Sequence, residues 1–319
     1  MIIVKILSQC QPALNFFHIF DYTSGMKTLI KTLRGLTSIV VYFCNTVFWC
    51  TPLFILTILK FLIPLTRFRL WCTRTLSSLA TGWVGANTIN QRLFSKTSLV
   101  VQGLQELSLE KKYLVLANHQ SWVDILVLQR IFHRKIPFLK FFLKKELIWF
   151  PILGQAWWAL DFPFMKRYSK QFLKKKPHLK GKDLEITRKA CEKFKTSPIS
   201  IMNFVEGTRF TPEKHKRQQS PYQSLLKSKA GGVGYVLTSM GDQLNAILDV
   251  TIVYPEGIKN FWSFVCGDIH EIKVRVKQMP VTADLLGDYT TDRSFRTRFH
   301  NWLNDLWKEK DQSIQDMLT

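Results

Sequence analysis

The chain has 319 residues, 46% of them hydrophobic and 21% charged, with a formal net charge of +22. That balance excludes a wholly disordered chain and allows a sizeable core in one large domain plus an appendage, or in two modest domains. The charge implies an anionic partner: nucleic acid, an acidic membrane surface or a phosphorylated substrate.

Residues 1–25 differ in character from the rest of the chain, and Met26-Lys27-Thr28 would make a natural start, so a weakly structured extension is expected there. Residues 26–75 read as a membrane anchor. Leu36 to Leu59 is almost wholly apolar, and its 24 residues are long enough to span a bilayer core of about 30 Å. Pro52 and Pro64 interrupt the region, so it is either one transmembrane helix or a helical hairpin folded about one of them. Lys27, Lys31 and Arg34 precede it, and Lys60, Arg67, Arg69 and Arg74 follow. Basic residues on both flanks give no clear orientation and favour a hairpin with both ends on the cytoplasmic side.

From about residue 85 to 275 the pattern alternates between strand and helix, as in an α/β domain. The expected strands are Ser98–Gln102, Tyr113–Ala117, Pro137–Phe142, Pro198–Phe204, Asn245–Tyr254, Phe261–Cys266 and Glu271–Lys277. The expected helices are Trp122–Phe132, Lys145–Leu160, Lys182–Lys195 and Gly231–Met240. Thr211 to Lys229 is polar and aperiodic and reads as a loop. Residues 276–319 close the chain with a helix over roughly Ser294 to Lys308. Between Lys166 and Arg217 there are 16 Lys and Arg against 5 Asp and Glu, a net of +11, which marks an anion- or membrane-facing surface. Cys10, Cys44, Cys50, Cys72, Cys191 and Cys266 form no CxxC pair, so a reducing compartment is implied and a structural metal is not.

Four blocks carry chemistry. In the first, Asn118-His119-Gln120-Ser121-Trp122-Val123-Asp124, a short buried strand ends at a histidine with a carboxylate five positions on. A strand-to-helix turn there would bring Asp124 onto one imidazole nitrogen and leave the other to take a proton from a hydroxyl. The same residues also fit a histidine hydrogen-bonded in a core turn. In the second block an apolar stretch ends in Lys166-Arg167, and Arg167 has the fork geometry that grips a phosphate. The third runs from a buried strand into Glu206-Gly207-Thr208-Arg209. Its glycine allows close backbone approach, and its arginine is a second anion fork that Glu206 could fix, unless Glu206 itself meets an acceptor hydroxyl. The fourth is a buried strand ending at Pro255.

In this order and at these distances, the blocks resemble the glycerolipid acyltransferase superfamily, the PlsC-like 1-acylglycerol-3-phosphate acyltransferases. The His-x4-Asp motif matches at His119 and Asp124, with Asn118 also as expected; the second motif matches at Arg167. The third matches at Glu206, Gly207, Thr208 and Arg209, and the fourth at Pro255. The resemblance covers roughly residues 85–260. The wording of Asn118–Gln129 and Phe204–His215 is nearest a branch of bacterial YihG-type enzymes and eukaryotic lysophosphatidate and lysocardiolipin acyltransferases. The second motif departs from the common pattern by reading Phe-Pro-Phe-Met-Lys-Arg, which leaves the role of Lys166 versus Arg167 open.

The resemblance implies a mixed α/β sheet flanked by helices behind an N-terminal helical anchor. It implies acyl transfer from acyl-CoA or acyl carrier protein to the hydroxyl of a lysophospholipid, with 1-acylglycerol-3-phosphate as the first expectation. No bound cofactor or metal is expected. Asp124 would hold the tautomer of His119, and His119 would deprotonate the acceptor. Lys166, Arg167 and Arg209 would hold the phosphate with Glu206 assisting, and backbone N–H groups near Gly207 would meet the oxyanion. The expected surroundings are a phospholipid membrane, the bacterial inner membrane, with the catalytic domain cytoplasmic and without nucleic acid. A different lysophospholipid, such as lysocardiolipin or lysophosphatidylglycerol, is the alternative acceptor. A membrane-tethered anion-binding protein is the alternative outside enzymes, and it would need neither His119 nor Asp124.

Overall fold

The computed structural model describes residues 22–165 and 197–319, with Glu185, Arg188, Lys189, Cys191, Glu192 and Phe194 between them. The expected extension over 1–25 lies almost wholly outside the described residues. So do Lys166, Arg167 and most of the expected helix Lys182–Lys195.

The N-terminal region forms two helices, α1 (Tyr22–Leu62) and α2 (Thr66–Asn90). Pro52 lies inside α1 without ending it, and the chain turns at 63–65, about Pro64. The helices run antiparallel along a polar seam. Asn45 Nδ2 donates to Asn87 Oδ1 at 2.8 Å, Trp83 Nε1 to Thr46 Oγ1 at 3.2 Å, and Asn90 Nδ2 to the Ser38 carbonyl at 3.1 Å. Trp49 lies directly over Gly82, where a Cβ would strike its ring at 2.2 Å. The outer face of α1 exposes Val40, Phe43, Phe48, Ile55 and Ile58. Among the described residues one helix, Gly25–Leu62, is long and apolar enough to cross a membrane. The helical pair extends beyond the expected boundary at 75, because α2 continues to Asn90 and then widens into a π turn, Gln91–Ser95.

The α/β domain is built on a six-stranded mixed sheet. Its strands are β1 (Ser98–Gln102), β2 (Tyr113–Ala117), β3 (Leu139–Phe141), β6 (Ser200–Phe204), β7 (Ala246–Val253) and β8 (Glu271–Met279), in the order β1-β8-β7-β2-β6-β3. A separate pair joins β4 (Leu143–Lys144) to β5 (Phe164–Met165). Strands β7, β2, β6 and β3 are parallel neighbours, and β8 turns antiparallel to β7. Every residue of β2 and β7 is buried, which explains why both read as unbroken apolar runs rather than alternating ones.

The pleat sends Leu114 and Leu116 to one face, where they pack with α6 (Ala230–Met240) and α8 (Arg293–Leu318). It sends Tyr113, Val115 and Ala117 to the other, against α3 (Val123–Phe132) and α7 (Phe261–Val265). A third cluster fastens the helical pair to the domain: Cys50, Leu53, Leu56, Cys72 and Leu76 pack against Ala156, Ala159, Leu160 and Phe162.

Several expected elements change form. Phe261–Cys266 is helical because Asn260 caps it, its side chain accepting the Ser263 N–H at 2.8 Å. Lys145–Leu160 divides into a 3₁₀ turn, Lys145–Trp149, and α4 (Leu153–Ala159). Pro151 keeps Phe150 extended, with ψ 124°, so a helix cannot run through. The expected loop Thr211–Lys229 contains α5 (Pro212–Gln218), capped by the Thr211 hydroxyl and started by a proline at its first turn. The closing helix continues ten residues past Lys308, to Leu318.

Candidate active site

Three of the four blocks come together because β7, β2 and β6 are adjacent and parallel. Each block is the segment that leaves a strand's carboxyl end, so all three emerge side by side at one edge of the sheet. Asn118 extends the β2–β7 pairing with its side chain. Its Nδ2 donates to the Ile252 carbonyl at 2.9 Å and its Oδ1 accepts the Ile252 N–H at 2.8 Å. The amide thus substitutes for a peptide group just where the backbone of block one leaves the sheet.

His119 follows, and α3 begins four residues on. Asp124 in its first turn holds His119 Nδ1 on Oδ2 at 2.9 Å. The same oxygen accepts the N–H groups of Gln120 at 2.6 Å and Ser121 at 2.9 Å, and Oδ1 accepts the Tyr254 hydroxyl at 2.6 Å. Asp124 is fully buried, so its oxygens are met by these four donors rather than by water. The imidazole lies flat on Phe204, with centroids 3.8 Å apart and planes 12° from parallel. With Nδ1 held by Asp124 and one face covered, Nε2 is the nitrogen presented for proton transfer. Among the described residues no group of three or more His, Cys, Asp or Glu is placed to hold a metal ion.

Glu206 sits behind the histidine. It is fully buried, and its two carboxylate oxygens accept the His119 N–H at 2.7 Å and the Leu226 N–H at 2.8 Å. Burial pushes its carboxyl up to about 7, against the lowering effect of the two N–H donors. Both oxygens are engaged by backbone, so the carboxylate faces the chain rather than Arg209 or a substrate. Gly207 has φ +66° and donates its N–H to the Phe204 carbonyl at 2.8 Å, so that N–H is already engaged and does not serve an oxyanion.

Arg209 leaves the same turn and lies over the exposed Trp122 ring at 4.2 Å. Beside it, Lys214 Nζ donates to Thr208 Oγ1 at 3.0 Å and to the Arg209 carbonyl at 2.7 Å. Partial desolvation, then the charges of Arg209 and Arg217, lower the Lys214 ammonium below its ordinary range. Pro255 directly follows Tyr254 where the chain leaves β7, outside the hydrogen-bonded core of the site.

Sequence reasoning missed four contributors. Tyr254 stands immediately before the fourth-block proline, and burial and Asp124 hold its hydroxyl in the protonated, donating form. Phe204 and Trp122 lie inside blocks already singled out, but stacking is a pairing that spacing does not reveal. Lys310 gave no signal at all: it looks like a surface residue of a charged helix, yet it is fully buried and ion-paired to Asp249 at 2.7 Å.

Residues 98–259 match the family model described as Acyltransferase, which is just over half of the chain. The chain belongs to this family. The 1-acyl-sn-glycerol-3-phosphate acyltransferase gamma of Mus musculus is 24% identical over 217 residues, covering 64% of this chain and 52% of that protein. The 1-acyl-sn-glycerol-3-phosphate acyltransferase 3 of Arabidopsis thaliana is 25% identical over 235 residues, covering 67% and 56%. The chain thus spans about half the length of these curated relatives. The crystal structure of the 1-acyl-sn-glycerophosphate acyltransferase PlsC from Thermotoga maritima superposes with a TM-score of 0.51. The match covers 89% of this chain and 98% of that one at 16% identity, and so establishes a shared fold.

Proposed function

We propose that this family member transfers a fatty acyl group from a thioester to the hydroxyl of a lysophospholipid, converting 1-acylglycerol-3-phosphate to phosphatidic acid. The observation that carries this reading is the His119–Asp124 pair, fixed by four donors on the carboxylate, with no Ser, Thr or Cys among the described residues hydrogen-bonded to the imidazole. Such a pair serves direct transfer between two bound substrates.

His119 Nε2 removes the proton from the acceptor hydroxyl as its oxygen attacks the thioester carbonyl carbon. The tetrahedral intermediate collapses with cleavage of the carbon–sulfur bond. The imidazolium returns the proton to the departing thiolate, releasing a free thiol and the new ester. Asp124 stabilises the imidazolium, and Tyr254 fixes Asp124. Glu206 acts as a positioning residue by holding the His119 backbone. Arg209, with Lys214 beside it, receives the acceptor's phosphate, and we assign Lys166 and Arg167 to the same task. The thioester is acyl-CoA or acyl-acyl carrier protein.

The apolar helix Gly25–Leu62 and the +22 charge support a membrane-associated enzyme, which we place at the cytoplasmic face of a bacterial inner membrane. A larger acceptor such as lysocardiolipin fits the same chemistry. The Lysocardiolipin acyltransferase 1 of Danio rerio is 22% identical over 130 residues, covering 37% of this chain and 31% of that protein.

The test uses full-length protein in detergent with radiolabelled oleoyl-CoA, 1-acylglycerol-3-phosphate and a panel of other lysophospholipids. Phosphatidic acid should form with the unaltered chain and not with His119→Ala. Product from the alanine variant at an undiminished rate would refute the assignment of the base. Product only from another acceptor would move the substrate and keep the mechanism.

A further inference from the structure

The segment Leu143–Phe162 forms a small lobe beside the tip of the helical pair. Its 3₁₀ turn packs on α4, with Phe150 stacked on Trp157 at 6.4 Å and Gln155 Nε2 donating to the Ile148 carbonyl at 3.0 Å. Lys60, in the last turn of α1, pairs with Asp161 at 3.6 Å, and Ala156, Ala159 and Leu160 share a core with Leu53 and Leu56. The lobe is therefore fastened to the helices at their Pro64 end.

Two tryptophans of the lobe remain open. Trp149 is 82% exposed and Trp158 58%. Among the described residues after Asn90, Trp122 is the one other exposed tryptophan, tyrosine or phenylalanine, and the Arg209 guanidinium lies over its ring. The neighbouring helix tip exposes Phe61 at 79%, Leu62 at 65% and Leu65 at 66%. The exposed charges of the lobe and the tip are mostly basic: Lys144 and Lys145 with Glu146 on the lobe, Arg67 and Arg69 on the tip. From the lobe a row of rings leads inward, Phe162 to Phe141, Phe141 to Phe204, and Phe204 to His119.

We propose that this lobe is a second membrane-contacting element, which places Trp149 and Trp158 in the interfacial layer of an anionic phospholipid leaflet beside the tip of the helical pair. The proposal rests on the membrane-associated reading above and adds to it a contact made by the catalytic domain itself. Tryptophan suits that layer because its ring is apolar and its N–H remains hydrated, and Lys and Arg side chains meet anionic headgroups. A patch beside an apolar helix tip, with mostly basic exposed charges, matches a bilayer surface in both respects. A contact made by the domain beside the tip also limits its tilt, which the helical anchor alone leaves free. The aromatic row then runs from the buried base of the lobe, at Phe162, to the His119 imidazole.

The test is photocrosslinking of the full-length chain in vesicles of phosphatidylethanolamine and phosphatidylglycerol, with p-benzoylphenylalanine replacing Trp149 or, as a control, the exposed Lys308 of α8. Position 149 should yield a phospholipid adduct by mass spectrometry and position 308 should not. A crosslink from 149 to a second copy of the chain would make the lobe a protein interface and overturn the proposal. So would equal labelling at both positions, or an unmodified chain that still sediments with vesicles and transfers acyl groups. A chain that neither sediments nor transfers acyl groups would overturn the membrane-associated enzyme reading itself. Independently, Trp149→Ser combined with Trp158→Ser should lower activity on vesicles roughly tenfold and leave activity in detergent micelles unchanged. An equal loss in both would mean that the tryptophans support the fold instead.

Discussion

Tyr254→Phe isolates one hydrogen bond in the proposed catalytic pair. The hydroxyl donates to Asp124 Oδ1 at 2.6 Å inside a buried pocket, while three N–H donors serve Oδ2. Phenylalanine preserves the ring and its packing, so the perturbation is the loss of a single donor to a charged acceptor, worth about 1.5–3 kcal/mol. Divided by about 1.4 kcal/mol per pH unit, that sets an upper bound near 2 units on the change in proton affinity of the coupled His119–Asp124 pair. The donors on Oδ2 retain part of the stabilisation, so a shift of about 1 unit is expected. Its sign is fixed. Removing a donor concentrates negative charge on Asp124, the pair holds its proton more tightly, and the histidine that must be neutral to act as a base becomes neutral only at higher pH. The acid limb of the kcat profile should therefore move upward by about 1 unit, with less than a tenfold loss on the plateau. The assay is kcat against pH with saturating thioester and lysophospholipid, beside a urea unfolding curve in the same detergent. A variant that loses about 2 kcal/mol of stability with an unmoved acid limb would refute the positioning role and leave Tyr254 a purely structural residue.

Arg209→Ala should raise KM for the lysophospholipid by about tenfold or more, as expected for a lost charged hydrogen bond, and change KM for the thioester by less than about twofold. Equal increases for both substrates would remove Arg209 from the phosphate. Glu206, pushed up to about 7 by burial from an ordinary 4.5, makes stability depend on pH. The contribution is complete below pH 4.5 and is lost as pH rises through 7, a change of about 3 kcal/mol in order of magnitude. Denaturant curves for Glu206→Gln should lack that dependence, and curves parallel to the unaltered protein would refute the assignment. Lys310→Met strands the buried Asp249 carboxylate and should cost about 3–5 kcal/mol, most of it restored by adding Asp249→Leu, as a double-mutant cycle in urea would read.

The sheet was largely legible because its central strands β2 and β7 are buried on both faces and its edge strand β1 is a short β-branched and apolar run. Tyr113–Ala117 and Ser98–Gln102 appear at the expected residues, and β7 differs from expectation by one residue at each end. The errors fell where apolar runs carry no period. Phe261–Cys266 is as apolar as a strand and is decided by the cap at Asn260, and Lys145–Leu160 has helical spacing but is broken by one proline. The pairing of His119 with Asp124 followed from their five-residue separation across a strand-to-helix turn. The role of Glu206 did not, because a carboxylate beside an arginine gives no sign of facing backbone instead. Partners such as Tyr254 and Lys310, 130 and 61 residues from the groups they hold, come together only through the sheet order.

That order also explains why the closing helix matters to chemistry beyond the family match at 98–259. Leu226 donates its N–H to Glu206 and accepts the indole N–H of Trp307 on its carbonyl at 3.2 Å. Three residues on, Lys310 Nζ donates to the Val250 carbonyl at 2.7 Å, in the strand that ends at Tyr254. Helix α8 thus braces both supports of the His119–Asp124 pair: Glu206, which holds the backbone of His119, and β7, which leads into the tyrosine that holds Asp124. Each link is a hydrogen bond in a buried site, where an unmatched donor or acceptor costs about 1–3 kcal/mol, so the braces resist small displacements of the strands they join. The imidazole is positioned from behind by groups distant in sequence. Arg209 and Trp122, by contrast, pair with each other nearer the surface and take no part in these braces.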